Sequence, residues 1–201
     1  MATISKTQGT VALALTAITH PDTVKGTTQS VTTALACTFF LFHSSVEAVA
    51  NTNAGSFYVQ ASGAGSSDEF WITLAQFTAS ATTADTEALT ATEPAAETVL
   101  AVASTTGFVA TDRLYIKNTT LASSEFAMCQ EIVANTSVNL IDGLTNEQTA
   151  AASTLWNDAD FFMAQLDLTA IGRVRVIFVH EGATGANVDV TGLLVVGDSI
   201  A

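Results

Sequence analysis

Side chains of like character recur at every second position through much of this chain. Val11, Leu13, Leu15 and Ala17 share one side of an extended segment, and Leu35, Cys37, Phe39 and Leu41 share one side of another. Successive side chains on a strand point to opposite faces, so this spacing predicts β-strands, and the apolar run Ala34–Phe42 reads as a buried one. The composition agrees, because Ala and Thr together supply about a third of the residues, a bias toward small and β-branched side chains that fit a pleated surface. Val, Ile, Leu and Phe add about a quarter, above the roughly 20% below which chains tend to stay disordered. The expected fold class is all-β.

Strand signals fall into three blocks. The first, residues 1–80, holds the two alternating segments, a turn at Asn51–Gly55, a short strand at Phe57–Gln60, a Gly/Ser loop at Gly63–Asp68 and a strand at Phe70–Phe77. Residues 81–97 lose apolar periodicity around Pro94 and read as an exposed linker, with Glu87, Glu93 and Glu97 open to a protease. Residues 98–157 form a small β-module: strands at Thr98–Ala103, Arg113–Lys117 with Leu114 and Ile116 inward, Phe126–Val133 with Phe126, Met128 and Ile132 aligned, and Ser137–Ile141, with turns at Asn135-Thr136 and Asp142-Gly143. The last block, residues 158–201, adds Phe161–Leu168, Arg173–His180 and Val188–Val196. Three strands cannot enclose a core, but joined to the first block they complete a sandwich. The expected architecture is a discontinuous β-sandwich, 1–80 plus 158–201, interrupted by the module.

Charge narrows the partners. With six Lys and Arg against nineteen Asp and Glu, the chain carries −13 at neutral pH. Nucleic acid and anionic membrane are poor partners, since binding to phosphates needs cations. The longest apolar run, Ala34–Phe42, is far short of the ~20 residues that span a bilayer, and Met1–Gly9 is polar and lacks a secretory pattern. Synthesis in a host cytoplasm is expected, with Cys37 and Cys129 as small core residues whose pairing is left open. Lysines that usually guard strand edges are scarce, which predicts edges covered by identical copies or by a partner.

Chemistry-bearing motifs are absent. Gly63-Ala-Gly-Ser-Ser67 lacks the strand-to-helix elbow of a hydrolase serine. His20, His43 and His180 have no metal-ligand spacing, and Asp158-Ala-Asp160 lacks the further oxygens of a Ca²⁺ loop. No catalytic, cofactor-binding or metal-ligating residue is therefore assigned, no cofactor is expected, and the chain reads as a non-enzyme. Arg173 and Arg175 alternate with Val174, Val176 and Phe178, so both guanidinia share a sheet face with the apolar row opposite. They pair across strands with an acid such as Asp189 or Asp167, or they anchor the chain to an acidic protein surface.

Residues 104–144 carry a resemblance. Ser104-Thr-Thr-Gly-Phe108, Asp112-Arg-Leu-Tyr-Ile116, the acidic strand Glu125–Val133 and Val138-Asn-Leu-Ile-Asp-Gly-Leu144 resemble a small β-element of tailed-bacteriophage virion proteins. Thr111 stands where that element usually has Gly, and the Gln148 neighbourhood where it has His. The flanking strands look like those of capsid cement or decoration proteins. The resemblance implies a subunit on the capsid surface of a virion, with the major capsid protein and further copies of itself, such as a trimer, as partners. The alternative is a glycan-binding host-recognition module of a tail or fibre, which would expose Trp71 and Trp156 as stacking platforms.

Overall fold

The computed structural model describes residues 4–19, 21–46, 55–63, 70–80, 84–181 and 187–200. His20, residues 51–54 of the expected turn and residues 64–68 of the Gly/Ser loop lie outside them. The fold is all-β. In chain order the strands are β1 (Ile4–Thr19), β2 (Thr23–Lys25), β3 (Gln29–Ser30), β4 (Ala34–Ser44), β5 (Gly55–Ser62), β6 (Ile72–Ala79), β7 (Thr86–Ala88), β8 (Val99–Ala101), β9 (Arg113–Asn118), β10 (Glu125–Val133), β11 (Ser137–Leu140), β12 (Ser153–Trp156), β13 (Asp160–Asp167), β14 (Arg173–Val179) and β15 (Asn187–Ile200).

Two antiparallel sheets draw their strands from both ends of the chain. One runs β1-β15-β4-β13, the other β2-β14-β5-β6 with β3 also on β14. Their inner faces share one core, to which β4 gives Cys37, Phe39 and Leu41, β5 gives Phe57 and Val59, β14 gives Val174, Val176 and Phe178, and β15 gives Val188, Val190 and Leu194. Phe77 of β6 stacks on Phe162 of β13 at 5.3 Å, placing those two edge strands over one another. At the opposite flank the sheets are stitched together, where the Thr27 amide donates to the Ala12 carbonyl and the Gly26 amide to that of Val176. A side chain at position 26 would collide with the Ala12 carbonyl oxygen, so this approach requires glycine.

The third sheet, β7-β12-β9-β10-β11-β8, is built from residues 86–156. Its core holds Leu100, Leu114, Ile116, Cys129, Val138, Leu140 and Leu155. The stretch expected as linker differs from the expectation. Thr86–Ala88 is a strand of this sheet, Leu89 bridges Val102, and Glu93 bridges Gln148. Glu93 is buried and its carboxylate accepts the Ala101 amide at 3.0 Å, while Glu97 accepts the amides of Thr98 and Val99. These acids are hydrogen-bond acceptors for backbone, a role that leaves no apolar periodicity to read.

Bulges explain three further departures. Register shifts in β1 on either side of Leu13 turn Val11 to the outside and Leu15 toward the module, so the row expected on one face is divided between two. A shift between Cys129 and Glu131 likewise separates Ile132, which packs in the module core, from Phe126 and Met128. Leu35 is half exposed because a register shift against β15 falls between Ala34 and Ala36, so Ala34 and Cys37 point inward and Leu35 outward.

Thr111 has φ +78°, a conformation costly for a β-branched residue and easy for glycine. Its amide still donates to the Cys129 carbonyl, so the turn is held despite the strain. Thr111→Gly is expected to stabilise the protein by about 1 kcal/mol, read as a higher denaturation midpoint with unchanged slope. Val176→Asp should abolish cooperative folding, because an unpaired carboxylate in this fully buried position costs about 3 kcal/mol or more. Loss of the denaturation transition would register it.

Candidate interaction surfaces

The module seats on the outer face of the four-stranded sheet. Strand alternation puts Asp189, Thr191 and Leu193 of β15 on that face, beside Phe40 and Phe42 of β4. Phe126 from β10 lies 5.4 Å from Phe42 and 4.6 Å from Tyr115, and the seam is filled by Val46, Tyr115, Ala159, Leu15, Trp156 and Phe161. Beside this apolar contact sits a buried polar one. The Tyr115 hydroxyl donates to Asp189 Oδ2 at 2.8 Å, and Lys117 Nζ lies 3.6 Å from the same oxygen. Asp189 is fully buried and its Oδ1 has no partner among the described residues. Burial pushes its carboxyl above the usual range, with Lys117 and Tyr115 pulling the other way. The Tyr115 hydroxyl is raised as well, by burial first and then by the Asp189 charge.

His43 occupies the inner end of β4, fully buried and stacked on Phe178 at 5.7 Å, with Nδ1 3.5 Å from Asp160 Oδ2. That separation is electrostatic contact without hydrogen-bond geometry. Asp160 also accepts the Ser80 amide at 2.6 Å and its hydroxyl. Burial would raise this carboxyl, but His43 and the Ser80 donors outweigh it and hold the group below the ordinary value. Asp158 faces a different set, accepting from the Ser44 hydroxyl and from the Ser45 amide and hydroxyl. The two carboxylates of Asp158-Ala-Asp160 thus serve separate donors, and their spacing reflects two local clasps.

Arg173 and Arg175 lie on the outer face of the other sheet, opposite the buried Val174, Val176 and Phe178. Arg175 donates from Nε to Gln60 Oε1 at 2.9 Å and its guanidinium lies 3.9 Å over the Trp71 ring, with Arg173 5.3 Å from the same ring. Asp189 and Asp167, expected as acidic partners, are engaged elsewhere: Asp189 in the seam and Asp167 with Thr169. The cation over an indole face is the feature that alternation could not disclose, because Trp71 precedes its strand. Trp156 is half-buried in the seam.

Beyond the module the outer face of the four-stranded sheet is open. Val11 pairs with Leu193, Leu193 with Phe40, and Phe40 with Met163, so one row crosses all four strands. All four side chains are exposed, Val11 by 52% and Met163 by 61%. The next row, Val195, Thr38 and Gln165, also carries no charge. Where this face meets the module, an apolar groove of about 510 Å³ is lined by Val11, Leu15, Phe42, Phe126 and Leu193. Sequence reasoning missed this row because the apolar run Ala34–Phe42 reads as a buried strand, whereas Phe40 of β4 is exposed.

Cys37 and Cys129 are both free and buried, and burial pushes the Cys37 thiol up to about 11. No helix among the described residues is long and apolar enough to cross a membrane.

No family model and no curated protein matches this chain. Among solved structures, it is similar to the tailspike protein gp49 from Pseudomonas phage LKA1, with 22% identity and a TM-score of 0.31, over 36% of this chain and 14% of the tailspike. It is also similar to the SPBc2 prophage-derived protein YomS, with 13% identity and a TM-score of 0.37, over 98% of this chain and 97% of that one. A third likeness is to a structure of infectious bursal disease virus Gx strain, at 12% identity and a TM-score of 0.29, over 99% of this chain and 43% of the viral one. The chain therefore spans only a small part of the tailspike's length. With every TM-score below 0.5, these likenesses stop short of a shared topology.

Two buried carboxylates with opposite shifts give opposite pH signatures. Asp189 is raised in the folded state, so its contribution is most favourable below the unfolded carboxylate value and is lost as pH rises through the folded one. Relative to wild type, Asp189→Asn should therefore gain stability as pH rises toward neutrality. Asp160 is lowered, so its contribution is present above the unfolded value and lost as pH falls through the folded one. Asp160→Asn should accordingly be weakest against wild type near neutral pH and converge with it in acid. Urea denaturation across pH 3 to 7, about the range in which carboxylates titrate, reads both; parallel pH dependences for the two variants would contradict the assignment. A thiol reagent should modify neither cysteine in the native protein and both after unfolding, since burial keeps the thiols protonated.

Proposed function

We propose that this chain is a virion structural protein, and specifically a cement or decoration subunit that binds the outer surface of an assembled capsid shell and stabilises it without catalysing a reaction. The observation that carries this reading is the uncharged row Val11–Leu193–Phe40–Met163 with its adjoining groove, an open apolar sheet face on a chain of net charge −13. Contiguous apolar surface of this kind marks a contact with protein. The acidic remainder fits a coat exposed to solvent, where like charge keeps particles apart. The phage-like pattern in residues 104–144 supports the virion setting. The major capsid protein is the partner proposed for the open face.

The rival reading, host recognition through glycan stacking, calls for open aromatic faces. Trp71 instead lies beneath Arg175, and Trp156 is packed into the seam. The arginine pair is a second candidate for the shell contact.

Particles assembled without the protein should form but lose resistance to heat, and adding purified protein should restore it. Val11→Asp with Met163→Asp should block loading onto shells while leaving the melting temperature within about 2 °C of wild type, because both side chains are surface residues in the free protein. Arg173→Ala with Arg175→Ala should load normally; the reverse pattern would move the contact to the arginine face. Particles that keep full heat resistance without the protein but fail to attach to hosts would favour the recognition reading.

A further inference from the structure

The described sheets end in edge strands, and most of these are visibly guarded against pairing with another chain. In the module, β7 and β8 are three residues long. In the sandwich, β2 and β3 are three and two residues long, β1 is tied across to the second sheet by the Thr27–Ala12 hydrogen bond, and β13 begins and ends with aspartate. Short edges, covered edges and charge are the devices by which soluble β proteins stay apart.

The least guarded is β6, whose one such device is a bulge at Leu74, between its pairings with Val59 and Gln60. It spans eight residues, Ile-Thr-Leu-Ala-Gln-Phe-Thr-Ala, with no charge and no proline, and among the described residues it pairs only with β5. Phe70, just before it, is 76% exposed, Ile72 68% and Leu74 45%. Its outward backbone groups form a template that a further strand satisfies as a set. The neighbouring outer-face side chains Gln60, Tyr58, Thr73 and Gln76 are neutral and hydrogen-bonded to one another in pairs, and charge lies only toward the two ends of this face: Arg175 over Trp71 at one, and Glu181 on Ser56, beside Thr78, at the other.

We infer that β6 is a self-association edge, pairing antiparallel with β6 of a second copy so that the five-stranded sheet continues across a two-fold axis. Charge selects this occupant. Two chains of −13 repel each other, and they can meet at low cost only where like charges are not set against one another. An antiparallel pair about a two-fold axis sets this strand, which has no charge of its own, against its own copy, matched in length and with the Arg175 end of one toward the Glu181 end of the other. This contact lies at the sandwich flank, apart from the open apolar face, and holds whatever that face binds.

Sedimentation velocity on the full chain should show a dimer, twice the 20.8 kDa monomer, that dissociates on dilution. Leu74→Lys should raise its dissociation constant roughly tenfold or more while leaving the far-ultraviolet spectrum unchanged. Should that variant misfold, Thr78→Lys at an exposed outer position provides the same test. Amide exchange gives a readout independent of substitution, because part of the β6 amides should be protected at high concentration and exposed on dilution. A wild-type chain that stays monomeric at its highest soluble concentration would overturn the inference. So would a dimer lost with Val11→Lys and kept with Leu74→Lys, or β6 exchange indifferent to dilution.

Discussion

Strand β4 is apolar on both faces, and the rest of the molecule is arranged around that fact. Its inward residues Cys37, Phe39 and Leu41 meet the second sheet and form the sandwich core. Its outward residues Phe40 and Phe42 cannot be left wholly to water, so Phe42 is covered by Phe126 of the module. Phe40 has no such cover and stays partly open in the cross-strand row. Burial of aromatic area is among the larger favourable terms available to a chain of this composition. The position of the module and the existence of an open face follow from the same strand.

The seam adds direction to that burial. Apolar contact alone tolerates sliding, whereas Tyr115 reaching a fully buried Asp189 requires one placement. A buried carboxylate with an unsatisfied oxygen is a cost, and a hydrophobic pair would hold the two parts at least as tightly. Its presence is consistent with a geometry specified at the expense of stability. The module interior uses the same logic: Gln148, wholly buried, donates to Ser123 and Glu125 and accepts from Asn118 and Ser153.

Period-two patterning made the fold class legible, as well as the inward set of β14 and the inward Leu114 and Ile116 of β9. It failed wherever a bulge changed parity, as around Leu13 and between Cys129 and Glu131, because one extra residue moves every later side chain to the other face. Residues 84–97 were illegible for another reason, since their contacts are backbone hydrogen bonds to Glu93 and Glu97 that leave no periodic trace. Of the surfaces, the arginine face was visible as two cations at even spacing, but its aromatic partner was not. The open apolar row depends on register among four strands far apart in sequence, which no local pattern encodes.

The clasp between Ser80 and Asp160 fixes where the chain leaves the sandwich and where it comes back. Ser80 directly follows the last sandwich strand before the module and Asp160 opens the next one after it, and they touch at 2.6 Å. Some eighty residues therefore hang from two adjacent points of entry, a geometry that makes the module a removable cassette. A tight reverse turn at this neck would leave the inter-sheet core in place but bare Phe42 and Asp189, so a different insert would have to cover the same face. The same sandwich can thus serve as a display platform, with its cargo free to diversify away from that face while the strands beneath keep their pairing.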